Sequence, residues 1–180
     1  MKELQRKSVD EFRDSEKNPV IVVLENIRSA YNVGSVFRTC DAFLIEAIYI
    51  IGYSAKPPHK EIKKTALGAE ETVTWKHFKT TAEAMELLRA AGYRVYSVEQ
   101  AENSYKLHAT GFRQNEKIAV IFGNEVTGVE QSTIDNSDGC IEIPQLGMKH
   151  SLNIATAAGV VLWELIRNKI TPAVKGRTEH

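Results

Sequence analysis

The sequence lacks several features that would assign it to a common class at once. No apolar run approaches the ~20 residues that span a membrane, and the opening residues carry charges without the apolar core of an export signal. It has only two cysteines in 180 residues, Cys40 and Cys140, and neither has the spacing of a metal ligand. These absences predict a reduced, cytoplasmic protein with no structural metal and no disulfide framework.

Net charge is also absent, because 23 basic residues balance 23 acidic ones. A strong RNA binder usually concentrates an excess of Lys and Arg on one surface. Here only the segments 56–64 and 167–180 are locally basic, each with four basic residues against one acidic residue, a formal charge of +3. Such segments either contact phosphate or form a solvated surface, and composition leaves both interpretations open.

The familiar cofactor and catalytic motifs are missing as well. The chain has no Gly-x-Gly-x-x-Gly fingerprint, no P-loop, no His-Glu-x-x-His and no Gly-x-Ser-x-Gly elbow. A cofactor would therefore have to bind through backbone groups and loops.

What is present is an alternation of apolar strands and amphipathic helices. The runs 20–24 and 118–122 are continuously apolar and predict strands that are buried on both faces of a parallel sheet. Other strands are predicted at 47–51, near 73, at 93–98 and at 140–143, and helices at 2–14, 32–43, 59–65, 81–91, 128–135 and from 151 onward. Asn32 and Ser151 are predicted to cap their helices, and 99–116 to be a long connection. The pattern indicates one α/β domain with a mostly parallel sheet.

Three turns join a predicted strand to a helix, at 32–39, 122–125 and 143–153. Parallel sheets usually build their ligand sites at such strand ends. In the first turn, Arg38 stands in an otherwise apolar segment, which leaves two interpretations. It forms a structural salt bridge, to Glu25 or Asp41, or it contacts a phosphate or a transition state. In the second, Gly123 would let the backbone approach a ligand, although a turn without function also fits.

In order and spacing these three turns, with Lys64 to Ala69, resemble the signature motifs of the SpoU class of SPOUT RNA 2′-O-ribose methyltransferases. The resemblance covers about residues 20–168. It implies the SPOUT (alpha/beta knot) fold, a mostly parallel sheet flanked by helices with a C-terminal deep trefoil knot. The implied organisation is an N-terminal helical extension (1–18), the methyltransferase domain (19–170) and a basic tail (171–180).

The resemblance also implies S-adenosylmethionine as cofactor and assigns roles to particular residues. The implied catalytic residues are Arg38, Asn32, Glu125, Ser151 and Asn153. The implied cofactor-binding residues are Val98, Gly123, Asn124, Ile143, Gly147, Met148, Ser151 and Leu152, and the implied RNA contacts are Arg38, Lys64, Lys149 and Arg167. Arg38 would activate the ribose 2′-hydroxyl. Because a guanidinium is a poor base, this role requires a site that disfavours its charge or a proton path shared with the substrate phosphate.

By the same resemblance the protein is a homodimer that acts on RNA without a metal. The short N-terminal helix and the basic tail resemble the tRNA-acting branch, which methylates a D-loop guanosine, so tRNA is favoured over ribosomal RNA. Two other functions stay open: a catalytically silent RNA-binding module with this fold, and a flavodoxin-like nucleotide-binding enzyme. Against the silent module stands the joint presence of Arg38, Glu125, Ser151 and Asn153, since binding alone would not need all four.

Overall fold

The structure, a computed structural model, describes residues 8–113, 115–148 and 151–170. Within them, seven strands form one sheet in the order β3-β2-β1-β6-β4-β7-β5. The strands are β1 (Asn18–Glu25), β2 (Ile45–Ile51), β3 (Trp75–Phe78), β4 (Arg94–Val98), β5 (Tyr105–Lys106), β6 (Ile118–Phe122) and β7 (Gly139–Glu142). The helices are α1 (Val9–Asp14), α2 (Ala30–Ala42), α3 (Lys60–Ala66), α4 (Ala69–Thr72), α5 (Thr81–Ala90), α6 (Gln131–Asp135) and α7 (Ile154–Ile170). None of these helices, in the described part of the chain, is long and apolar enough to cross a membrane.

The central strands β1 and β6 confirm the two buried strands predicted from the sequence. Every strand pair of the sheet is parallel, and β1 and β6 run side by side with Val22 opposite Val120. Both faces of β1 are covered: Val22 packs under α2, α3 and α7, and Val23 packs under α5. A strand covered on both faces consists of continuous apolar residues instead of alternating apolar and polar ones. This pattern made the two strands recognisable in the sequence.

Two predicted elements are placed differently by the structure. Val73, the centre of a predicted strand, instead ends α4, and the strand β3 begins at Trp75. The predicted connection 99–116 contains the short strand β5, which pairs with β7 at the edge of the sheet. Tyr105 and Lys106 are both exposed, so no apolar periodicity marked this strand.

Helix α1, which precedes the first strand, packs against the core. Ser8 and Glu11 form a reciprocal capping box at the start of this helix. Phe12 is buried in the core beside α4. Residues 2–7 of the predicted helix 2–14 lie outside the described residues, as does the predicted tail 171–180.

Candidate active site

A cavity of about 480 Å³ opens at the carboxyl ends of β4, β6 and β7, beside the start of α7. Ligand sites of parallel α/β sheets lie at this edge, and the volume is in the range of small-molecule sites. Its lining residues are Val98, Glu99, Gln100, Phe122, Gly123, Asn124, Glu125, Val126, Thr127, Gly128, Ile141, Glu142, Ile143, Gln145, Ser151, Leu152, Asn153, Ile154 and Ala157.

A closed five-residue turn after β6 forms one wall of this cavity. Asn124 and Gly128 exchange two backbone hydrogen bonds of 3.0 and 2.9 Å, and the Asn124 side-chain oxygen accepts from two further N–H groups of the turn. Only glycine fits at 123, because a Cβ there would lie 2.2 Å from the carbonyl carbon of Gly128. The Gly-Asn pair thus shapes the turn that holds Glu125.

The Glu125 carboxylate binds the start of α2, about a hundred residues away in the chain. It accepts hydrogen bonds from the N–H of Arg28 (2.8 Å), the N–H of Ser29 (3.0 Å) and the amide Nδ2 of Asn32 (2.8 Å). Partial burial raises the pKa of this carboxyl, but the hydrogen bonds outweigh burial and the pKa falls below its ordinary value. Glu125 is therefore ionised and acts as an acceptor at neutral pH.

Asn32 also forms a hydrogen bond with the third turn. Its Oδ1 accepts from Nδ2 of Asn153 at 3.1 Å, so a chain of hydrogen bonds runs from Glu125 through Asn32 to Asn153. This chain joins the three turns that the sequence placed at strand ends, and Glu125 and Asn153 both line the cavity.

The two predicted helix caps were wrong. Ser29, not Asn32, caps α2, its hydroxyl accepting from the N–H of Asn32. Helix α7 begins three residues after Ser151, and the Asn153 side chain accepts from the N–H of Ala155. In both places several cap-type residues stand close together in the chain, so propensity could not select among them.

Arg38 lies on the exposed side of α2 and forms a salt bridge with neither Glu25 nor Asp41, the two partners predicted for it. Glu25 is buried on the opposite face of the sheet, where it accepts from Thr81, from Thr133 and from a backbone N–H. Asp41 accepts from the hydroxyl of Thr72. Among the described residues no carboxylate lies within ion-pair distance of Arg38, and Arg38 does not line the cavity.

Six of the eight predicted cofactor residues line the cavity: Val98, Gly123, Asn124, Ile143, Ser151 and Leu152. The Asn124 amide, however, is occupied within the protein, since its Nδ2 donates to the carbonyl of Asn26 and to the hydroxyl of Tyr53. Gly147 and Met148 lie outside the lining; Met148 is 95% exposed, and a Cβ on Gly147 would meet nothing within 4 Å.

The predicted RNA contacts are spread over the surface rather than the cavity. Lys64 is exposed at the end of α3, facing Tyr31. Arg167 is exposed near the end of α7 and forms an ion pair of 2.8 Å with Glu164. Lys149 lies outside the described residues.

Glu99 also lines the cavity, although it was not among the site residues predicted from the sequence. Its Oε1 accepts from the N–H of Gln100 (3.0 Å) and its Oε2 from the N–H of Val129 (3.2 Å), so it fastens the closed turn to the end of β4. The Glu99 carboxylate leaves no room for a side chain at position 128, because a Cβ on Gly128 would lie 2.3 Å from Oε2. Its place in the chain could have indicated a site residue, because Glu99 directly follows a strand that ends at the cavity.

The chemistry of the lining fits S-adenosylmethionine. Of the three glutamates that line the cavity, Glu142 is paired with Lys106, whereas Glu99 and Glu125 form no ion pair among the described residues. No Lys or Arg stands among the lining residues in the described part of the chain. Such a wall favours a cationic group such as a sulfonium. The side chains of Val98, Ile143 and Leu152 add the apolar surface that an adenine ring requires.

The chain belongs to the SpoU rRNA Methylase family, whose sequence pattern matches residues 19–163. This places it among the SPOUT methyltransferases, the class that the three turns predicted. The α/β fold with a parallel sheet is confirmed, while the deep trefoil knot stays a prediction.

Named relatives and solved structures agree with this membership. The tRNA (guanosine(18)-2′-O)-methyltransferase of Thermus thermophilus is 28% identical over 175 residues, which cover 97% of this chain and 88% of that protein. A 23S rRNA (guanosine-2′-O-)-methyltransferase of Vibrio vulnificus is 26% identical over 171 residues, 94% of this chain and 67% of that protein. The AdoMet-bound rRNA methyltransferase from Sinorhizobium meliloti superposes with a TM-score of 0.78 at 26% identity, over 87% of this chain and 60% of that one.

Proposed function

We propose that this protein transfers a methyl group from S-adenosylmethionine to a ribose 2′-hydroxyl of RNA. The observation that carries the proposal is the hydrogen-bonded chain from Glu125 through Asn32 to Asn153 at the wall of an acidic, cofactor-sized cavity. The flavodoxin-like alternative loses its support with the family assignment. A silent RNA-binding module would have no use for a cavity built in this way.

The cofactor supplies an electrophilic methyl group on a sulfonium. The closed turn after Gly123 and the residues Val98, Ile143, Ser151 and Leu152 would hold it, mainly through backbone groups and apolar contact. Glu99 would add negative charge near the bound cation. These residues would fix the methyl group in line with the hydroxyl, and such positioning contributes much of the acceleration in group transfer.

Asn32, Glu125 and Asn153 would position the ribose, and Arg38 would act at its 2′-oxygen. As that oxygen bonds to the methyl group, the methyl–sulfur bond breaks and the hydroxyl loses its proton. A guanidinium beside the oxygen stabilises the negative charge that develops there and can pass the proton to a neighbouring phosphate. Arg38 is suited to this role because it is exposed and not paired with any acidic side chain of the described residues.

We favour tRNA as substrate and hold ribosomal RNA as second candidate. The Thermus relative, which is named for a tRNA guanosine, matches 97% of this chain and supports the first. The Vibrio relative, named for 23S rRNA, supports the second.

We further propose that the protein is a cytoplasmic homodimer. Val160 and Trp163 on α7 are 39% and 46% exposed, and they offer apolar surface for a second copy of the chain.

The test is transfer of labelled methyl from S-adenosylmethionine to unmodified tRNA transcripts and ribosomal RNA fragments, side by side. We expect label in tRNA, and a loss of roughly a hundredfold or more in kcat for Arg38→Ala with cofactor affinity nearly unchanged. Arg89→Ala is the control: Arg89 is an exposed arginine on α5 whose guanidinium donates to the backbone carbonyl of Asn136, away from the cavity, and the variant should transfer normally. Normal turnover by Arg38→Ala would remove Arg38 from its role, and label in ribosomal RNA alone would select the second substrate.

A further inference from the structure

Helix α2 is apolar around most of its circumference and leaves one stripe exposed. Tyr31, Ser35 and Arg38 recur at i, i+4 and i+7 and so share one face of the helix. The remaining surface is packed in the core through Ala30, Val33, Gly34, Val36, Phe37 and Cys40. Tyr31, which is 41% exposed, therefore lies on the same face as Arg38, about 10 Å away along the helix axis.

Close packing between α2 and α3 gives Tyr31 a cationic neighbour. A Cβ on Gly34 would lie 2.2 Å from Thr65 Oγ1 and 2.4 Å from the carbonyl oxygen of Ile62, so only glycine allows this approach. The hydroxyl of Thr65 donates to the Tyr31 carbonyl at 2.9 Å. Lys64 Nζ then lies 5.8 Å from the centroid of the Tyr31 ring and 3.4 Å from its hydroxyl.

An exposed aromatic ring beside a lysine has the chemistry of a nucleotide contact. Bases stack on aromatic side chains with little regard to sequence, and an ammonium binds phosphate as a point charge. The short helix that carries Lys64 is basic on balance, with Lys60 and Lys63 besides Lys64 and one acidic residue, Glu61. Tyr31 is also tied to the site, because the next residue, Asn32, belongs to the hydrogen-bonded chain at the cavity.

We propose that Tyr31 and Lys64 bind a nucleotide close to the target: its base stacks on the Tyr31 ring and its phosphate contacts Lys64. This rests on the proposed function, in which the target ribose faces Arg38. The separation of about 10 Å along α2 leaves room for a neighbouring nucleotide at Tyr31 beside the target at Arg38. Tyr31 is then a substrate-positioning residue that acts before the chemical step.

The experiment compares Tyr31→Ala, Tyr31→Phe and Lys64→Ala in methyl transfer, with cofactor affinity measured by calorimetry. Tyr31→Ala should raise the KM for RNA roughly tenfold, the loss of one base stack, and leave cofactor affinity unchanged. Tyr31→Phe keeps the ring and should retain a KM close to that of the wild type. Lys64→Ala should lower the slope of log affinity against log salt by about 0.7 to 0.9, whereas Tyr31→Ala should leave this slope unchanged.

Two results would overturn the proposal. One is an unchanged KM for RNA in Tyr31→Ala; the other is a shift of that variant to a smaller assembly by light scattering, which would place Tyr31 against a second copy of the chain. Filter binding measures the affinity for RNA without the cofactor, and so tests the Tyr31 contact independently of methyl transfer. Absence of transfer by the wild-type protein contradicts the function, whereas wild-type turnover with an insensitive Tyr31 contradicts only the stacking contact.

Discussion

Asn32 shows how much one side chain contributes to this site. Its Nδ2 donates to Glu125 and its Oδ1 accepts from Asn153, so both ends of the amide are used. The sequence, through the family resemblance, predicted that these three residues belong to one site. Their hydrogen bonds join residues 93 and 121 positions apart, which no local pattern could reveal.

Asn153 has two functions that substitution can separate. Its Oδ1 caps α7, and its Nδ2 contacts Asn32. Asn153→Ala should lose about 1 kcal/mol of unfolding free energy together with activity, because both contacts disappear. Asn153→Asp keeps the capping oxygen but not the donor, so stability in urea should return while kcat stays low. An Asp variant with normal kcat would show that the contact with Asn32 is not required.

Glu125 should make the stability of the protein depend on pH. Hydrogen bonds to its carboxylate lower the pKa in the folded state, so the ionised form stabilises the fold above the ordinary value of 4.5. This contribution is lost as pH falls below 4.5 through the folded pKa. Because the side chain is exposed, the effect is at most about 1 kcal/mol. In urea unfolding, the advantage of wild type over Glu125→Gln should persist near neutral pH and shrink under acid; an advantage that grows under acid contradicts this assignment.

The closed turn after β6 depends on the absence of a side chain at Gly123. An added Cβ would meet the Gly128 carbonyl carbon and the Val129 nitrogen, both at 2.2 Å, and neither backbone atom can rotate away. Overpacking of this kind costs about 1 to 3 kcal/mol of unfolding free energy, relieved only by displacement of the turn, so Gly123→Ala should be less stable in urea and should bind the cofactor more weakly in calorimetry. Gly159→Ala, where a Cβ meets nothing within 4 Å, is the control. Equal affinity in both variants would mean that this turn does not hold the cofactor.

Elements with a clear periodicity were the ones that the sequence could predict. The strands β1 and β6 and the helix α5 lie within one or two residues of their predicted positions. The edge strand β5 was missed because its two residues are exposed, and the start of α7 was misplaced because neighbouring residues compete as caps. Local sequence patterns therefore located the strands and helices of the core but not the residues at which the elements begin and end.

The order of the strands in the sheet could not be predicted from local sequence patterns. The chain leaves β1 for β2 and β3 on one side, and β6 returns to pair with the other side of β1. This return brings the Gly123 turn next to the start of α2, so topology assembles the site. Family resemblance was needed to predict that assembly, and it also predicts the deep trefoil knot and the homodimer.

The proposed function places the methyl group on a ribose 2′-oxygen. The most direct measurement is alkaline hydrolysis of RNA methylated by the wild-type protein with labelled S-adenosylmethionine. A 2′-O-methyl group removes the nucleophile that cleaves the adjacent phosphodiester, so the label should appear in an alkali-resistant dinucleotide. Label recovered in single nucleotides would mean that a base is methylated and that the 2′-oxygen is not the methyl acceptor.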